Sequence, residues 1–178
     1  MKAIKKTAIA LLALAALAPN VWAKKQKAAG SAPAPQSVGM ANPFKSCKSL
    51  KEAEKAAGFD FKLLDAFEDC AIQVYRAIPK QMIEAIYDSE TGDEIRIRKA
   101  PGKNDPSGDF NIYTEKSSQT VDGHEITFFA SGNKCGKAVW HMGGYTCSIT
   151  SRDRISIDKA LKAAQKIIEM NAARADNK

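Results

Sequence analysis

Arg96 and Arg98 stand two residues apart in the run Ile95-Arg96-Ile97-Arg98, and this alternation puts both guanidinium groups on one face of a β-strand. Two planar guanidinium groups side by side grip a carboxylate or phosphate through paired hydrogen bonds. The stretch that follows brings Asp105 and Asp109 within reach. These acids have two readings: partners in a solvated face of ion pairs, each worth little, or the rim of an anion site built with the arginines. A carboxylate pair also opens a different chemistry, that of a cell-wall hydrolase. It requires one carboxyl group raised by its surroundings while the other stays ionised.

Other chemistries find less to work with. His124 and His141 are the whole histidine supply, and neither has an acidic or thiol partner at ligand spacing, so no metal site is expected. There is no G-x-S-x-G signature for a serine nucleophile. The stretch Gly132-Asn133-Lys134-Cys135-Gly136-Lys137 has one residue too few between its glycines for a phosphate loop, and Ala138 stands where Ser or Thr is needed. No cofactor is expected, and a non-enzymatic binding role fits better than catalysis.

The elements that must position these residues are legible from period and punctuation. Residues 82–87 and 95–98 read as two strands of a hairpin, with Gly92 among polar residues at the reversal. Upstream, Ser49 and Glu52 form a capping box for a helix over 50–57, which Gly58 stops. The alternation of Phe59, Phe61 and Leu63 with Asp60, Lys62 and Leu64 predicts a strand, and 70–78 predicts another, turned by Pro79-Lys80. Further strands are expected at 111–114, 120–121, 124–130, 138–142 and 145–150, with turns at Asp122-Gly123 and Gly143-Gly144 and a polar loop over 131–137. Ser156 is a candidate N-cap for a last helix, whose Ile157, Leu161, Ala164 and Ile168 make one apolar stripe. The expected fold is α+β: a twisted antiparallel sheet of six to eight strands, with the short N-terminal helix and the longer C-terminal helix packed on it.

Of the formal charge of +7, six units are Lys2, Lys5, Lys6, Lys24, Lys25 and Lys27, which lie in the first 41 residues where there is no acid. The remainder is nearly neutral, so nucleic acid is not an expected partner. Lys2, Lys5 and Lys6, the apolar run 8–17 and the small-residue site Val21-Trp22-Ala23 have the order of a cleaved signal peptide spanning 1–23. The apolar run is too short to span a bilayer, which takes about 20 residues. Residues 24–41 have the composition of a flexible linker, 42–171 form a single domain, and 172–178 should fray. The expected location is therefore the periplasm or the outside of a bacterial cell, with no membrane span once the leader is removed.

Cys47, Cys70, Cys135 and Cys147 make an even count, which in an exported chain reads as two disulfides. Three pairings are open, and Cys47–Cys70 with Cys135–Cys147 joins sequence neighbours. The second bond meets an objection. A turn at Gly143-Gly144 sets Trp140 opposite Cys147 and leaves Cys135 about 17 Å farther along the strand, well beyond the ~7 Å a disulfide spans.

Several segments in a fixed order carry a resemblance: Asn42-Pro43-Phe44, Cys47, 49–53, 57–59, 82–87, 95–100, 107–111 and 138–140. Together they resemble a family of small exported bacterial proteins with a domain of unknown function. Related domains of that family occur in lipoproteins and in the extracytoplasmic parts of anti-sigma regulators. Phe110 stands where the family pattern has tyrosine, and Cys70, Cys135 and Cys147 lie outside that pattern. The resemblance implies no catalytic residues to assign and leaves the activity open; the expected partner of such an exported chain, with its arginine pair, is another envelope protein or an anionic ligand.

Overall fold

In the computed structural model, which describes residues 42–90 and 92–172, the chain is α+β, with one antiparallel sheet and two helices. The signal-peptide and linker segments read from the sequence, 1–23 and 24–41, lie outside the described residues. So does the expected frayed tail, apart from Ala172, which is still helical.

Among the described residues the sheet has nine strands. In chain order they are β1 (Lys45–Cys47), β2 (Ala66–Phe67), β3 (Cys70–Ile78), β4 (Met82–Asp88), β5 (Glu94–Pro101), β6 (Glu115–Val121), β7 (His124–Ser131), β8 (Lys134–Met142) and β9 (Tyr145–Ser156). The spatial order is β1-β3-β4-β5-β9-β8-β7-β6, with β2 also paired to β3. The main sheet is thus two meanders, β3 to β5 and β6 to β9, joined by the long-range pair β5 and β9. Helix α1 (Leu50–Ala57) packs on β3 and β4, and α2 (Ile157–Ala172) on β7, β8 and β9.

The local chemistry explains these boundaries. Ser49 Oγ accepts the amide of Glu52 at 3.3 Å, and the Glu52 carboxylate reaches back to the Lys48 amide at 2.8 Å, one residue before the N-cap. Gly58 ends α1 in the left-handed region at φ 81°, and Ser156 caps α2 through the Lys159 amide. Asp122 (φ 49°) with Gly123, and Gly143 with Gly144, are all left-handed, as tight hairpin turns of this kind require.

Sheet register sorts the side chains onto two faces. Ile83, Ala85 and Tyr87 pair with Lys99, Ile97 and Ile95; the row continues through Cys147 and Ile149, Trp140 and Ala138, and Ile126 and Phe128. This is the apolar face, and Ala160, Ala164, Ile167 and Ile168 of α2 close over it with Ala53 and Ala57 of α1. Leu161 is half-buried at its margin. The opposite face carries Arg76, Glu84, Arg96, Arg98, Ser148, Thr150 and Lys137.

Three expectations need correction. Residues 59–64 form no strand; they run irregularly over the sheet, burying Phe61, Leu63 and Leu64, and the Leu64 carbonyl accepts the Tyr87 hydroxyl at 2.8 Å. The chain leaving α1 has to reach β2 and β3, and on the way these side chains fill core space without pairing to a strand. The 131–137 loop is instead a turn at Gly132-Asn133 followed directly by β8, which opens at Lys134 and absorbs Gly136 in a register shift. Residues 111–114 remain outside the sheet, and the next strand starts at Glu115.

The disulfide expectation fails as well, because the strand register holds the cysteines apart. All four cysteines are free. Cys47 pairs with Tyr75, five residues along β3 from Cys70, and Cys135 pairs with Ile155 while Cys147 pairs with Trp140. Each separation is roughly 17 Å or more.

Candidate functional site

Strand β5 lies in mid-sheet and β6 at the far edge, so the 102–114 connection has to cross β9, β8 and β7. It crosses on the polar face, where two buried cations hold it down. Arg98, 8% exposed, donates from one terminal nitrogen to the carbonyls of Pro106 (3.1 Å) and Ser107. Lys137 Nζ donates to Asp105 Oδ2 (2.9 Å) and to the Asp109 carbonyl (3.0 Å). Within the connection, the Ser107 amide donates to Asp105, the Asp109 amide to Ser107 Oγ, and the Asn111 amide to Asp109 Oδ1. The Tyr113 hydroxyl also donates to Asp109.

Two glycines admit this close approach. A Cβ at Gly108 would lie 2.6 Å from a terminal nitrogen of Arg98, and one at Gly136 would collide with the Tyr113 ring and hydroxyl. Both are positions where any larger residue displaces a neighbour.

Arg96 and Arg98 do share a face, but Asp105 and Asp109 are not their partners. Arg98 donates to Glu84 Oε2 at 2.6 Å, and Arg76 donates to Glu84 Oε1 at 2.6 Å from the other side. Glu84 is fully buried, and the Phe44 ring lies over both guanidinium groups at 4.7 and 5.5 Å. Arg96 is taken by Glu94 at 2.7 Å, which also accepts from Arg152 at 3.0 Å. Sequence reasoning missed Glu84, although the signal was present: Glu84 is register partner to both Arg76 and Arg98. A carboxylate directly between two arginines on one face is a cross-strand charge pair.

Beside the connection lies a groove of about 440 Å³, lined by Arg96, Arg98, Arg152 and Arg154 against Glu94 and Asp109, with Ser107, Asn111, Tyr113 and Thr150 among its neutral walls. Four guanidinium groups face two carboxylates there. The Arg154 guanidinium lies over the Tyr113 ring at 5.7 Å and is in no ion pair among the described residues. Burial, followed by the hydrogen bond to Asp109, pushes the Tyr113 hydroxyl up to about 12. Burial disfavours ionisation of Glu94, but the hydrogen bond and charge of Arg96 and the charge of Arg152 outweigh it and hold the carboxyl below its ordinary value. Asp105 behaves the same way: the hydrogen bonds from Lys137 and Ser107 win over burial. It is a fixed anion that braces a loop, and its proton affinity has moved away from that of a general acid.

A larger cleft of about 770 Å³ lies between the β2–β3 turn, the β7–β8 turn and the start of α2. Glu68, Asp69, Asp93 and Asp153 line it against Lys134, Arg154 and Lys159, and Lys159 is already paired with Glu68. With neither sign in clear excess, it offers less selectivity than the smaller groove.

On the apolar face one cation is buried. Lys99, 7% exposed, sits among the rings of Tyr145, Phe61 and Phe59 at 4.4, 5.4 and 5.7 Å and donates to the Asp60 carbonyl at 2.7 Å. Burial lowers its proton affinity. His124 and His141 are occupied by a main-chain carbonyl and a threonine hydroxyl respectively. Among the described residues no group of three or more His, Cys, Asp or Glu is placed to hold a metal ion, and no helix is long and apolar enough to cross a membrane.

In the comparisons with known proteins, a family model described as "Domain of unknown function (DUF4367)" matches residues 77–167, just over half of the chain. The match runs from the end of β3 through the crossing connection and into α2, so it contains Glu84, Arg98, Lys137 and the groove. No curated protein and no solved structure matches.

Proposed function

The chain belongs to the DUF4367 family, a domain of unknown function, and from that premise we propose that it is a non-enzymatic binding module of the bacterial envelope that takes an anionic group on its polar sheet face. One observation carries this reading: the groove in which Arg96, Arg152 and Arg154, with Arg98 spent on Glu84, stand against Glu94 and Asp109, and Arg154 is in no ion pair among the described residues. A carboxylate or phosphate entering there gains charge-assisted hydrogen bonds from planar donors that are already oriented. The envelope placement rests on the charged, apolar and small-residue order of residues 1–23.

Hydrolysis by a carboxylate pair has less behind it. Asp105 is ion-paired with Lys137, and Asp109 is engaged by Tyr113 and the Asn111 amide. Neither carboxylate stands ready to activate a water.

Titration with glycerol phosphate, followed through the amide and guanidinium signals of Arg96, Asn111 and Arg154, should give saturable shifts that Arg96→Ala abolishes. Signals unmoved at saturating anion would sink the reading. Cell fractionation with mass analysis of the amino terminus tests the location: an exported protein beginning at Lys24 is expected, and a cytoplasmic chain retaining Met1 would overturn it.

A further inference from the structure

Phe110 and Ile112 are the large hydrophobic side chains that stand open to solvent among the described residues, at 95% and 94% exposure. They alternate with Asp109, Asn111 and Tyr113, which line the arginine groove. One side of this stretch therefore faces the cations and the other presents two apolar groups to water. The display is held in place, because Lys137 fixes the Asp109 carbonyl and Arg98 fixes those of Pro106 and Ser107.

We propose that this loop tip docks the domain on an anionic phospholipid bilayer, with Phe110 and Ile112 entering the interface and Arg152 and Arg154 meeting lipid phosphates. The inference rests on the reading of the groove as an anion site and names its occupant. Charge complementarity and shape select it. The apolar pair projects almost wholly into solvent, so it suits a fluid apolar phase that can close around it. The concave part is polar and cationic, which suits phosphate. Apolar area and anionic headgroups together bind peripheral proteins. Among the described residues no helix could span the bilayer instead.

The test is co-sedimentation of the full chain with vesicles of phosphatidylglycerol and phosphatidylethanolamine, set against phosphatidylcholine. Any contribution from the apolar run 8–17 is common to all variants, so the differences between them are the readout. Phe110→Ser with Ile112→Ser should weaken partitioning at least about tenfold. Arg152→Ala with Arg154→Asn should weaken it about twentyfold; asparagine tolerates the left-handed backbone at 154, where φ is 58°. Phosphatidylcholine should bind wild type no better than the arginine variant binds anionic vesicles. If the serine variant partitions like wild type while glycerol phosphate still saturates the groove, the bilayer inference falls and the anion site stands. If glycerol phosphate shifts nothing and anionic vesicles bind no better than neutral ones, both fall.

Discussion

Glu84→Ala should be among the most damaging single substitutions in this domain, for electrostatic reasons. The carboxylate is fully buried and holds Arg76 and Arg98 at 2.6 Å each. Once it is gone the two arginines fare differently. The Arg76 side chain is 22% exposed and can turn to water, whereas Arg98 is 9% exposed and tied to the Pro106 and Ser107 carbonyls under the crossing loop. Its charge is left buried against carbonyl dipoles and the Phe44 ring, with its carboxylate gone. Stranding one member of a buried pair costs about 3–5 kcal/mol, a large part of the ~5–15 kcal/mol that holds a domain together. In a domain of this size that lowers Tm by roughly 10–20 °C. Urea unfolding followed by far-ultraviolet circular dichroism measures the loss. Replacing Glu84 and Arg98 together by methionine should recover only part of it, because the stranded charge is gone but the Pro106 and Ser107 carbonyls lose their donor. A Glu84→Ala loss below about 1 kcal/mol would refute the reasoning, for it would mean that the pair is solvated.

Gly136→Ala should drive the Tyr113 ring out of its seat, at about 1–3 kcal/mol, and bring its hydroxyl from about 12 back toward 10.0. Nuclear magnetic resonance titration reads this directly, and an unmoved Tyr113 would count against the packing. Lys99 has a depressed proton affinity, so the unfolded chain binds more protons there than the fold does. Wild type should therefore gain stability relative to Lys99→Met as pH rises from the folded-state value toward 10.5. Taking the difference between the two proteins removes Tyr75, Tyr87 and Tyr113, whose raised values act the other way, and Cys147→Ala in both backgrounds removes the thiol whose charge couples to Lys99. A difference that stayed flat with pH would show that the Lys99 ammonium is hydrated. The thiols give a simple count. With a thiol-reactive disulfide reagent, half-buried Cys47 should react first, Cys70, Cys135 and Cys147 should wait for unfolding, and the denatured chain should titrate four. A native protein without free thiols would contradict the register that holds the cysteines apart.

Much of the fold was legible wherever a local rule had no competitor. Ser49 with Glu52, Gly58, the Asp122-Gly123 and Gly143-Gly144 turns, and the α2 stripe are all decided within a few residues. The opposition of Trp140 and Cys147 follows from the turn by counting. Residues 59–64 misled because burial without pairing leaves the same alternation as a strand. The start of β8 misled because Lys134, Gly136 and Lys137 look solvated until Lys137 is seen to have a buried task.

The site was legible only in part, for a topological reason. Pairing β5 with β9, at the other end of the second meander, sends β6 to the far edge and compels the 102–114 connection across a sheet face. That face cannot be apolar throughout, because an irregular segment lying on it brings main-chain carbonyls that need donors. Arg98 and Lys137 supply those donors, and once covered they need carboxylates of their own, which Glu84 and Asp105 provide. The buried charges are thus a consequence of where the chain has to cross. Arg96, Arg152 and Arg154 stand beside the crossing, where Glu94 balances only part of their charge. The excess positive charge of the groove comes from this outer set, because the inner set is spent on holding the loop.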